Sequence, residues 1–193
     1  MWPARAAVRP VPRHAVVPEG VVHSVEQEFT GSDRLEQRID RAFDELDRDQ
    51  PALALFLGTE MNSIGDETAQ ALGHFLGVMI CRTFVAAFGE RLRRVETSAI
   101  ESASASFTWD EELRQGAADE ALETDDVVAI GQPHLVHFVR EQLDAAMEAD
   151  IEGEPSDVDI ESVAKVYRAV LVAILALGQA VDPPHGVAAN VLM

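Results

Sequence analysis

Several things are scarce in this chain, and each scarcity excludes something. Cysteine occurs once in 193 residues, as Cys81. An intrachain disulfide framework and a cysteine metal site are therefore excluded. Positive charge is scarce too: 15 Lys and Arg face 34 Asp and Glu, a net charge of -19. Such a chain repels phosphate backbones and anionic lipid, so neither nucleic acid nor a membrane surface is expected as a partner. Lys165 is the only lysine. The arginine bias fits a GC-rich coding sequence, and with the acidity it also fits a halophilic source. Long apolar runs are missing as well. The uncharged stretch Ala169 to Val181 falls short of the roughly twenty residues a membrane span needs. Pro3, Pro10, Pro12 and Pro18, with Arg5, Arg9 and Arg13, interrupt any signal-peptide core. A soluble, cytoplasmic protein is expected.

Familiar chemical signatures are absent as well. There is no GxxxxGK[ST], GxGxxG after a strand, GxSxG, HExxH or EF-hand loop in the sequence. The acidic stretch Glu152 to Asp159 lacks the oxygen spacing of a calcium loop. No catalytic residue and no cofactor are expected.

What is present is helical patterning in a chain of ordinary globular composition, 47% hydrophobic and 25% charged. Residues 1–30 read as a disordered, Pro- and Arg-rich tail, 31–182 as a single all-α domain, and 183–193 as a flexible C-terminal tail. Leu35, Ile39, Phe43 and Leu46 recur at helical spacing after Ser32 and Asp33. Pro51 opens a second helix with Leu53, Phe56, Leu57 and Met61. Asp66 caps a third, which Gly89 ends. Residues 90–105 read as loop or frayed helix, and Thr108-Trp109-Asp110-Glu111 has capping-box spacing for a helix to about Leu122. Asp125 and Asp126 precede a short run ended by Gly131, and Pro133 opens a helix to about Ala149. Asp157 or Asp159 caps the last helix, which runs to about Val181 before Pro183 and Pro184. The expectation is a bundle of about six to seven helices.

One pattern occurs twice. Gln50-Pro51-Ala52-Leu53-Ala54-Leu55-Phe56 and Gln132-Pro133-His134-Leu135-Val136-His137-Phe138 both read QPxLxxF. Each is followed by a longer apolar helix carrying one arginine, Arg82 and Arg168. Either the chain holds two duplicated helical hairpins, or helix-start chemistry produced the match twice.

Three groups of residues are candidates for function. His134, His137 and Glu141 share a helical face and offer imidazole and carboxylate to a divalent metal, although a solvated face has the same appearance. Arg82 and Arg168 sit in apolar helices, so each must be paired with a carboxylate, snorkel, or line a pocket for an anion, with His74 as a further ligand-binding group. Ala69, Gly73, Gly77 and Cys81 recur every four residues, a ridge suited to tight internal packing or to a dimer seam.

The leading functional expectation is a non-enzymatic acidic helical interaction module, of adaptor, regulator or immunity type, with a basic protein partner. The alternative is a helical bundle binding a small anionic ligand or metal between its two hairpins. A homodimer through the small-residue ridge is a third.

Overall fold

The computed structural model describes residues 10–30, 35–114, 124–148 and 159–184. Among the described residues the chain forms eight α-helices and no strand. They are α1 (Glu19–Phe29), α2 (Leu35–Asp49), α3 (Pro51–Asn62), α4 (Glu67–Phe88), α5 (Thr97–Arg114), α6 (Thr124–Gly131), α7 (Pro133–Glu148) and α8 (Ile160–Gln179). The protein is an all-α helical bundle, as the periodicity predicts.

The two longest apolar helices, α4 and α8, pack against each other at the centre. Asp66 caps α4 by accepting from the Ala69 N–H at 2.9 Å, and its second oxygen accepts from the Asp159 N–H at 2.8 Å. Asp159 caps α8 in turn, accepting from the Ser162 N–H and hydroxyl at 2.9 Å. One carboxylate thus ties the two N-termini together. At the other end the Arg91 carbonyl accepts from the Asp182 N–H at 2.8 Å, and Arg91 Nε donates to the Asp182 carbonyl at 3.0 Å. With both ends joined, α4 and α8 run side by side in one direction. The other helices cover them: α1 lies on α4 and α7, α2 on α3 and α4, α5 on α3 and α8, and α6 on α7 and α8.

The segment Glu67–Arg91 is long and apolar enough to cross a membrane by length and composition, with half of its window buried in the bundle. A bundle's central helix meets that criterion because it is surrounded by apolar neighbours. Tight packing explains its small residues. Ala69, Gly73, Gly77 and Cys81 are all buried. A Cβ on Gly73 would meet Met61 Sδ at 2.0 Å, and one on Gly77 would meet Leu57 Cδ1 at 2.8 Å. The ridge is the seat of α3 on α4, so it is not an open dimer seam. Burial also pushes the Cys81 thiol up to about 12, which leaves it protonated and unreactive.

Two boundaries are corrected. Residues 10–30 do not form a tail. Val11, Ala15, Val17, Val22, Val25 and Phe29 are buried in the common core. Pro18 stands at the N-cap of α1, and Val22, Val25 and Phe29 then fall on one helical face. The proline that suggested disorder is a helix start. Residues 1–9 and 185–193 lie outside the described residues. The second correction is that no helix starts at Trp109. Thr108 lies inside α5, and its hydroxyl bonds back to the Ser104 carbonyl at 3.2 Å, as a mid-helix threonine does. The serine/alanine run is helical because Ile100, Ala103 and Phe107 bury one face.

Candidate functional site

Arg82 is the most informative of the candidate residues. It leaves the core helix α4 with its side chain 32% exposed, and it is paired twice. Nη1 donates to Glu45 of α2 at 3.1 Å, and Nη2 donates to Glu28 of α1 at 3.3 Å. Glu45 also accepts from Arg41 Nε at 3.2 Å, and Arg38 donates to the Glu28 carbonyl at the end of α1. These groups line an open basin of about 400 Å³ with Phe29 at its edge. A guanidinium emerging from an apolar helix is expected to recruit carboxylates, and here two neighbouring helices supply one each. Glu28 lies on a segment whose prolines read as a tail, so the sequence alone does not bring it to Arg82. The amphipathic spacing of Val22, Val25 and Phe29 was the signal for it.

Arg168 occupies a different surface. From α8 its Nη2 donates to the Thr108 hydroxyl of α5 at 2.8 Å. His74 is half-buried on α4, edge-on to Phe43 with ring centroids 5.8 Å apart, and burial lowers its pKa below the ordinary value, favouring the neutral ring. The Arg82 basin includes neither Arg168 nor His74. The structure therefore does not assemble these three into one pocket, because the two arginines turn toward different covering helices.

His134, His137 and Glu141 do lie together on the outer side of α7. His137 Nε2 and Glu141 Oε1 are 3.4 Å apart, with side chains 74% and 62% exposed. Across from them α1 brings Glu19, His23 and Glu26 to the same shallow groove of about 180 Å³. His23 is already engaged, with Gln27 Nε2 at 2.8 Å from its Nε2 and Glu26 at 3.6 Å from its Nδ1. Among the described residues no three His, Cys, Asp or Glu side chains converge closely enough to hold a metal ion. The metal reading of His134, His137 and Glu141 is set aside, since the stripe is the solvated face of an amphipathic helix.

The acidic residues of α2 are arranged differently. Asp40, Asp44 and Asp47 are exposed and follow one another at helical spacing, so they form one stripe on the outside of the bundle. The basic residues of the same helix have other partners: Arg41 pairs with Glu45, Arg48 with Asp49 at 2.7 Å, and Arg38 with the α1 carbonyl. Among the described residues the three aspartates have no ion-pair partner. Such a stripe can attract cations or cationic groups. No known family, curated protein or solved structure matches the chain.

Proposed function

We propose that this protein is a non-enzymatic interaction module of the cytoplasm that docks a basic protein partner on its acidic outer surface. The observation that carries this reading is the α2 stripe Asp40, Asp44 and Asp47, exposed carboxylates without an ion-pair partner among the described residues, while Arg38, Arg41 and Arg48 of that helix bond to other groups. A net charge of -19 steers cationic partners toward the chain from a distance, and an exposed carboxylate stripe gives them a place to settle. The test is capture from an extract of the source organism with the wild-type chain and with D40N/D44N/D47N. A basic protein retained by the first and lost by the second supports the reading. Equal retention by both refutes the stripe as the docking face.

A second reading is favoured by the Arg82 basin, where three guanidiniums meet two carboxylates in about 400 Å³. That excess of one positive charge suits a small anion, such as a carboxylate or phosphate ester. Saturable stabilisation by inorganic phosphate or citrate, abolished in Arg82→Gln, would favour it over protein docking. A homodimer remains a partner reading only through a face other than the small-residue ridge.

A further inference from the structure

Two glutamines are buried in a mostly apolar core, where the other buried polar residues described are Thr83 and Ser162. Gln50 is 3% exposed and Gln132 is 0% exposed, and each immediately precedes the proline that opens α3 or α7. A buried amide must find partners for both its ends. Gln50 Oε1 accepts from the Val95 N–H at 2.8 Å, and its Nε2 donates to the Arg93 carbonyl at 3.1 Å. Gln132 Oε1 accepts from the Val17 N–H at 2.9 Å, and its Nε2 donates to the Ala15 carbonyl. In both cases one side-chain amide grips the carbonyl of one residue and the N–H two residues later, as a neighbouring β-strand would.

The gripped segments correspond too. Val17 stands two residues before α1, and Val95 two residues before α5. Each lies beside a short 3-10 turn: the first segment starts at the last residue of Arg13–Ala15, and the second follows Gly89–Arg91. The grips cross over: the glutamine before α3 holds the lead into α5, and the glutamine before α7 holds the lead into α1. Packing follows the same exchange. α1 lies on α7 and α4 as α5 lies on α3 and α8, and α2 lies on α3 and α4 as α6 lies on α7 and α8. The helices that end the two series, α4 and α8, both start at a capping aspartate. Helix-start chemistry accounts for a glutamine–proline pair occurring twice. It does not account for each glutamine seizing the segment that leads the other half.

We infer that the chain is two copies of one four-helix unit, 13–88 and 89–179, interlocked by Gln50 and Gln132, each of which clamps the leading segment of the opposite unit. The halves cannot part without releasing both segments and stranding both amides, so the clamps make one cooperative body out of two units. Little besides QPxLxxF survives of the common sequence because the clamp and the helix start constrain those letters, while elsewhere the core requires only apolar side chains of suitable volume.

Residue-resolved amide exchange on the full chain tests this. Neither Val17 nor Val95 donates to a helical carbonyl, so without the clamps both amides would exchange freely. In the wild type both should be slowed more than about tenfold, the factor that one retained hydrogen bond supplies. Gln132→Met should free Val17 and leave Val95 protected, Gln50→Met should do the reverse, and the double variant should free both. Free exchange at either amide of the wild type overturns the inference, and that measurement stands even if a variant fails to fold. Simultaneous release of both segments by one substitution overturns the reciprocity.

Discussion

Helices α3 and α7 start with the same two letters and bury the same positions, yet they face the solvent differently. Leu53 and Leu57 of α3 point into the core as Leu135 and Val139 of α7 do, all at most 3% exposed. Outside, α3 presents Leu55 at 73% exposure, where α7 presents His137. Inward positions are held by packing, which tolerates little change, whereas outward positions are free to diverge. What is particular to this protein is therefore to be sought on its outer faces, and the stripe on α2 and the basin around Arg82 both belong to the first half.

The sharpest way to break this comparison is to remove what the second half receives from the first. Deleting residues 1–17 exposes the sites of Val11 and Val17 and strands Gln132. At about 1.5–3 kcal/mol for each valine and about 1–3 kcal/mol for the orphaned amide, the loss is about 4–9 kcal/mol, comparable to the whole stability of a domain. Urea unfolding should show a collapsed midpoint, and an unchanged midpoint would mean that the segment is dispensable. Next comes Gly77→Leu, which forces a side chain into Leu57 and should cost about 1–3 kcal/mol without changing the molecular mass in solution. Leu55→Asp on the outer side of α3 should stay within about 0.5 kcal/mol, so that the two substitutions together separate inside from outside. A large cost at Leu55 would point to a hidden contact on that face.

Smaller effects are expected from the charges. Arg82→Gln should cost about 1 kcal/mol or less, because the pairs it breaks are open to solvent. Acid should act at the N-caps of α4 and α8. Backbone N–H groups hold Asp66 below the ordinary carboxylate value of 3.8, chiefly that of Ala69, and the Ser162 hydroxyl and N–H do the same for Asp159. Both contribute stability that is complete above that value and is lost as pH falls through their lower folded values. Unfolding followed below about pH 4 should therefore be less pH-dependent in Asp66→Asn than in the wild type.

Much of the fold was legible because caps and prolines are local signals. Asp66, Gly89, Pro51, Pro133 and Asp159 mark helix ends where the structure places them. The failures came where local signals pointed two ways. Pro10, Pro12 and Pro18 made residues 10–29 look like a tail, although Val22, Val25 and Phe29 carried a helical period. Thr108 satisfied a capping box while lying in mid-helix, because Phe107 was needed in the core. For the sites, the pairing of Arg82 followed from burial alone, but its partners depended on which helices came to rest beside α4. The role of Gln50 and Gln132 was not legible at all. A glutamine before a proline reads as a helix start, and only the packed structure reveals what its amide holds.

The most direct test of the proposed role is native mass spectrometry of the chain purified at low salt from its own source, as wild type and as D40N/D44N/D47N. The account predicts a complex with a basic protein that dissociates as salt approaches about 1 M, where screening acts over about 3 Å, and that the triple variant does not form. A bare monomer at low salt, or a complex that survives both the salt and the substitutions, would contradict it.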